Sequence, residues 1–217
     1  MPAPEARSAR PDQARTRLAR AAVVEAARHL FLQRGYGATT VEAISEQAAV
    51  PPATVYRLFS SKHGILKALF DVSIVGDHED VPMADRPQVR SLVTDGDAEK
   101  QLAGFVQVIV QVNERVAPLY KILVSAADTD PEAAALLDDL TRQRQQGQRM
   151  LSRSLARAGA LRPDLRERDA ADIVHALGSP ELYGLLVVDR GWKPERYTRW
   201  LERTLVDQLL PPEATRR

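Results

Sequence analysis

The stretch from Thr40 to Phe59 constrains this chain more than any other. Val41, Ile44 and Ala48 recur at helical spacing, and residues 53–59 form a second short helical run. Each run is about two turns long. Between them stands only Ala49-Val50-Pro51-Pro52, room for a tight turn and nothing else. Isolated helices this short are unstable in water, so both must pack on further helices around a shared core. Pro52 suits the first position of the second run, where its fixed φ is helical and its missing N–H is not needed. Either Thr39 or Thr40 can cap the first run, and Thr39 with Glu42 has capping-box spacing. Upstream, Val23, Ala27, Leu30 and Phe31 mark one face of a helix over about 17–33, which Gly35 stops. Downstream, Ser60 or Ser61 caps a helix carrying Ile65, Leu66, Leu69 and Phe70.

The rest of the chain is organised around that unit. Residues 1–15, rich in Pro, Ala and Arg, read as a disordered basic arm. Residues 16–75 make a helix-turn-helix domain and 76–217 a second domain. Gly76, Asp77, Pro82, Pro87, Gly96 and Asp97 break regularity at the junction, with one helical stretch over 88–94. Beyond it, helical patterns cover 98–115, 117–127, 131–158, 168–189 and 194–209. No stretch alternates with period two. The fold class is therefore all-α: an N-terminal three-helix helix-turn-helix domain joined to a C-terminal antiparallel helical bundle, about nine helices in all.

Charge and composition narrow the function. Residues 1–70 hold ten Lys/Arg and five Asp/Glu, a net +5; residues 71–217 hold twenty and twenty-four, a net −4. A basic head on an acidic body points to a polyanionic partner at one end. The chain has no cysteine, which excludes disulfides, zinc ribbons and thiol catalysis. No apolar run approaches the ~20 residues of a membrane span, and the charged N-terminus lacks a signal peptide's apolar stretch. A cytoplasmic, membrane-free protein is expected.

In a helix-turn-helix the first helix crosses the DNA backbone and the second enters the major groove. The local residues here are more specific than the motif. Gly35-Tyr36, Thr39-Thr40-Val41, Ile44, Ala48, Val50, Thr54-Val55-Tyr56, Phe59 and Ser61-Lys62 resemble, without a gap over about 20–70, the N-terminal signature of TetR/AcrR-family transcriptional regulators. The resemblance implies a homodimer on a pseudo-palindromic double-stranded DNA operator. It also implies a small-molecule inducer bound in the C-terminal bundle, whose binding weakens the grip on DNA.

Carried residue by residue, it implies a DNA-binding set of Thr39, Thr40, Pro51, Pro52, Ala53, Thr54, Val55, Tyr56, Arg57 and Lys62. Thr40 matches a phosphate contact at a helix start, and also a plain cap. Tyr56 matches a phosphate-binding tyrosine, or is a core aromatic. Lys62 holds a phosphate or is a solvated charge. Arg57 reads guanine or holds a phosphate. Val23, Phe31, Ile44, Val50 and Phe59 are read as core. Members of the family usually have Gly-Val-Ser where this chain has Ala49-Val50-Pro51. The missing serine forfeits ~1 kcal/mol of capping, which the prolines offset by restricting the unfolded chain. Ala53 stands where a glycine is common, which bears on operator sequence.

In the body, Phe105, Ile109, Tyr120, Leu123, Met150 and Tyr183 are candidate pocket residues for a mainly apolar inducer. Leu182, Leu185, Tyr197, Trp200, Leu201 and Leu205 are expected at the dimer interface, on two apolar stripes too wide for one neighbouring helix to cover. Gly178-Ser179-Pro180 reads as a kink in a helix, not a nucleophile elbow. Asp77-His78-Glu79-Asp80 has the ligand types for a metal, but a solvated acidic loop is the better explanation, so no metal and no cofactor are expected. Nothing in the sequence arranges an acid, base or nucleophile for catalysis, and the protein is read as no enzyme. The competing readings are a DNA-binding factor of the same fold controlled by a partner or by no ligand, and a helical small-molecule carrier.

Overall fold

The computed structural model of the chain describes residues 11–76 and 96–212. Every regular element among them is a helix. Two compact units emerge, Met1–Asp71 and Val72–Arg217. Most of the expected basic arm, the 88–94 stretch and the Asp77-His78-Glu79-Asp80 cluster lie outside the described residues. Residues 11–15 of the arm are helical, because α1 runs Pro11–Arg34.

In the first unit α1 buries Val23, Val24, Ala27, Leu30 and Phe31. Gly35 ends it at φ +78°, a left-handed turn that costs glycine no steric strain. Tyr36 folds back onto Phe31, ring centroids 5.5 Å apart. The short helices α2 (Val41–Ala48) and α3 (Pro52–Phe59) follow, then α4 (Lys62–Val75). Thr40 rather than Thr39 caps α2: its Oγ1 accepts from Ala43 N at 3.1 Å. Ser61 caps α4, accepting from Gly64 N at 3.1 Å. Gly64 is required there, since a Cβ at that position would lie 1.9 Å from the Phe59 carbonyl oxygen. Ile44, Val55 and Ile65 complete the core, each fully buried.

The second unit contains α5 (Ala98–Ala127), α6 (Pro131–Arg157), α7 (Glu167–Leu177), α8 (Pro180–Tyr183, continuing as a π-helical turn over Gly184–Asp189) and α9 (Pro194–Leu209). Asp97 and Asp130 cap α5 and α6, each accepting two backbone N–H groups. Those bonds hold the Asp97 carboxyl below the usual carboxylate range. Helix α5 packs on α6, α8 and α9, and α7 on α6 and α9.

Two expected boundaries are corrected. Residues 98–127 form one helix that runs through Pro118. Pro118 and Glu114, whose carbonyl loses its helical donor, are both exposed residues, so water is at hand. Residues 168–189 are not one kinked helix. Gly178 closes α7, and Ser179 starts α8 by accepting from Leu182 N at 3.1 Å. The Gly178 carbonyl at this break accepts from Asn113 Nδ2 at 3.1 Å, which settles a buried polar group.

The expected dimer residues divide. Tyr197, Leu201 and Leu205 are fully buried inside their own chain, where α9 meets α5 and α7. They leave no surface for a second subunit, because one stripe suffices to close the core. Tyr197 also donates its hydroxyl to the Leu177 carbonyl at 3.2 Å. Burial pushes that phenol's pKa up strongly. Leu182 and Trp200 are half-buried. Leu185 is 51% exposed and its neighbour Val188 60%.

The expected pocket residues divide too. Leu123, Tyr120 and Tyr183 are buried, and Phe105 and Ile109 half-buried near Gly178. Met150 is 43% exposed: it lies on the outer face of α6, away from the buried Leu151 and Leu155. Tyr183 stacks edge-on against Tyr197 at 5.1 Å, and is core.

Candidate nucleic-acid interface

The turn between α2 and α3 is built from backbone and one serine. Ala49 closes α2 at φ 51°, ψ 37°. Ser45 then clamps the chain: its hydroxyl donates to the Val50 carbonyl at 2.5 Å, and its own carbonyl accepts from Val50 N at 3.1 Å. Pro51 stands at the cap of α3 with no side-chain hydrogen bond. Its carbonyl accepts from Thr54 N and Val55 N instead.

Helix α3 is pinned on its inner face by Val55 and Phe59, both buried. Arg20 of α1 anchors its end, with Nη1 donating to the Leu58 carbonyl at 3.2 Å and the guanidinium 4.7 Å from the Phe59 ring centroid. The outer surface is what remains. Thr40, Pro51, Pro52, Ala53, Tyr56 and Arg57 are exposed there, and Thr54 is half-buried. Arg57 has no hydrogen bond or ion pair among the described residues. The Tyr56 hydroxyl donates to Glu42 Oε1 at 3.4 Å, so Tyr56 is a surface bridge from α3 to α2 and not a core aromatic. Glu42 is a residue that sequence reasoning used only for spacing; its place in the first turn of α2, within reach of the third helix, was the available signal.

Two expected contacts are corrected. Thr39 is 1% exposed and Val55 fully buried. The Thr39 hydroxyl donates to the Gly35 carbonyl at 2.8 Å, holding the turn after α1, and Val55 faces the core. Neither side chain can reach a ligand. Lys62 is half-spent: Nζ donates to the Tyr36 carbonyl at 3.0 Å and lies 4.2 Å from the Tyr36 ring centroid. An ammonium has three N–H groups, so donors remain for an anion.

Residues 23–69 match the family described as bacterial regulatory proteins, tetR family. The helix-turn-helix unit is therefore similar to that of TetR-family regulators. The chain is 28% identical over 167 residues to the HTH-type transcriptional regulator YdeS of Bacillus subtilis (strain 168), covering 76% of this chain and 77% of that protein. Its fold is similar to that of SmeT in complex with triclosan, with a TM-score of 0.70, 18% identity and coverage of 90% and 93% of the two chains; SmeT is the repressor of the Stenotrophomonas maltophilia multidrug efflux pump SmeDEF. It is also similar to NalD, the secondary repressor of MexAB-OprM in Pseudomonas aeruginosa, with a TM-score of 0.66, 21% identity and coverage of 92% and 98%.

This TetR-like head therefore carries a helix-turn-helix whose second helix has an inner face locked into the core and an outer face free for a partner. Among the described residues no helix is long and apolar enough to cross a membrane, and no group of His, Asp and Glu could hold a metal ion.

Proposed function

We propose that the protein is a TetR-family regulator, a homodimeric repressor that binds a palindromic operator and releases it when a small molecule enters the body. The observation that carries the DNA-binding part is the outer surface of α3. Arg57 is exposed with no partner among the described residues, beside Tyr56 and the open start of the helix at Pro51, Pro52 and Ala53. A helix held this way presents its first turns to base edges, and a free guanidinium suits the O6 and N7 of guanine. Thr40, at the N-terminus of α2, can add a phosphate contact through its hydroxyl and the helix-end N–H groups.

The repressor reading is supported by neighbours of the same fold that repress efflux pumps. One is bound to triclosan, which supports a ligand in the body. A two-fold axis would set two recognition helices ~34–36 Å apart, one turn of DNA. Leu185 and Val188, the exposed apolar residues of the π-helical turn, with Leu182 and Trp200 at their margin, are the surface offered to a second copy. Residues 16–75 then serve as the DNA-binding domain and 76–217 as the ligand-binding and dimerisation domain.

The test is selection of binding sites from a random duplex library, followed by fluorescence anisotropy over a salt series. The expected result is an inverted-repeat consensus bound in a salt-sensitive way. Arg57→Ala should lose discrimination of ~1–3 kcal/mol at one base position of each half-site. Binding with no sequence preference would refute the operator reading, and an unchanged consensus for Arg57→Ala would reduce Arg57 to a phosphate contact.

A further inference from the structure

Helix α6 carries polar residues where its inner stripe should be apolar. Leu140, Gln148, Leu151, Ser152 and Leu155 are all buried, and the Arg144 side chain is only 16% exposed. His175 of α7 sits against them, with Nδ1 2.7 Å from Gln148 Oε1 and Nε2 3.0 Å from Arg144 Nη2.

The donors in this chain can be assigned without ambiguity. A guanidinium only donates, so Arg144 Nη2 donates to His175 Nε2. The ring is therefore neutral with its proton on Nδ1, and burial, with Arg144 beside it, holds its pKa below the ordinary imidazole value. Nδ1–H then donates to Gln148 Oε1. Flipping the amide would set an NH2 group against Nδ1–H, donor against donor. The Gln148 amide nitrogen thus points away from His175, and it is buried with no partner. Four residues on, on the same face of α6, the Ser152 Oγ is likewise buried with no partner. Buried polar groups are rarely left so. Gln148 Nε2, at the end of a chain of donors that begins on a cation, and Ser152 Oγ, one turn further along α6, are two buried donors that lack an acceptor.

The charge is already balanced. Arg144 Nη1 lies 3.5 Å from Glu181 Oε2, so the position before Gln148 calls for an acceptor atom and for no net charge. We propose that Gln148 Nε2 and Ser152 Oγ are the recognition point for an uncharged small molecule bearing a carbonyl oxygen. The amide donates to that oxygen and the serine hydroxyl adds a second bond. This rests on the ligand-responsive reading above and sharpens it: the effector is selected by a hydrogen bond inside the body and not by apolar fit alone.

Three probes of similar size separate the chemistries: benzylacetone, a neutral ketone; butylbenzene, which has no acceptor; and phenylbutylamine, a cation. Thermal-shift and calorimetric titrations use the full chain. The ketone is expected to raise the melting temperature most. Gln148→Met and Ser152→Ala should each weaken the ketone about tenfold and leave butylbenzene unchanged, the loss expected of one buried hydrogen bond. Ser152→Ala also keeps the free protein's melting temperature, since it deletes a hydroxyl that bonds nothing. The proposal is overturned if butylbenzene matches the ketone, if only the amine binds, if no probe binds, or if both variants bind the ketone like wild type. Operator release is measured separately by anisotropy. Selective ketone binding without release would defeat the regulatory reading and leave the recognition point standing.

Discussion

Leu205→Ala decides what the stripe of α9 is for. Tyr197, Leu201, Leu205 and Leu209 recur every four residues and are all fully buried within one chain. Truncating such a leucine loses its transfer free energy and leaves a cavity, together ~2–5 kcal/mol. A domain of this size moves ~2–4 °C in melting temperature per kcal/mol, so the expected fall is ~4–20 °C. Leu185 makes the contrast. It is 51% exposed, so within a single chain Leu185→Ala forfeits only about 1 kcal/mol of burial. Its larger effect should be on association. Circular-dichroism melts at two protein concentrations, with light scattering on the same samples, separate the two. Leu205→Ala should melt early at both concentrations while keeping the wild-type mass. Leu185→Glu should lower the mass and make the melt depend on concentration. If instead Leu205→Ala melted within about 2 °C of wild type, a shift far below that of a cavity, and the dimer came apart, the stripe would belong between subunits and the reasoning would fail.

Gly64→Ala should disrupt the α3–α4 junction, because its Cβ would meet the Phe59 carbonyl oxygen at 1.9 Å; a loss of at least ~1–3 kcal/mol is expected in urea unfolding, and an unchanged midpoint would show that the junction opens freely. Ala49→Gly should do the reverse, relieving a left-handed alanine at φ 51° for a gain of up to ~1 kcal/mol, and a loss would mean that the added freedom of the unfolded chain outweighs the strain. His175, faced by Gln148, Arg144, Glu181 and Asp172, has a folded pKa lowered by burial and then by Arg144. The unfolded chain therefore binds the proton first, and stability present above ~6.5 is lost as pH falls below it. His175→Gln should flatten that part of the stability profile, and a profile unchanged by the substitution would count against the neutral ring.

The first unit was legible because local signals there act alone. Gly35 must stop α1 where φ turns positive, Pro52 fits only a first helical turn, and Ile44, Val50 and Phe59 fall inward by spacing. What spacing could not decide was which threonine caps α2. Thr39 and Thr40 both have the chemistry, but the backbone turn after Gly35 brings the Thr39 hydroxyl onto the Gly35 carbonyl and leaves Thr40 at the cap. Val55 was misassigned for a related reason. A motif names a helix as the reading helix, yet only half of any packed helix faces outward. In the second unit Pro118 suggested a helix end, but the backbone group it deprives lies on an exposed turn, and packing on both sides carries the helix through. Gly178 reads as a kink until the next residue is seen to cap a new helix.

The limits of a hydrophobic stripe explain the largest misassignment. An apolar row at helical spacing says that a face is buried; it does not say against what. On α9 the row Tyr197, Leu201, Leu205 and Leu209 looked surplus to a bundle, because the sequence does not show that α9 closes over both α5 and α7. Once it does, the most exposed large apolar residues among those described in the second unit are the less conspicuous pair Leu185 and Val188, on a turn whose π-helical winding breaks the spacing that a helical pattern relies on. The same logic runs the other way on α6. Arg144, Gln148 and Ser152 interrupt its inner row at four-residue intervals, and such interruptions read as surface when only polarity is weighed. Each polar residue that shares the phase of Leu140, Leu151 and Leu155 is a burial cost that the fold keeps, and it is at those positions, not among the leucines, that this body's selectivity should be sought.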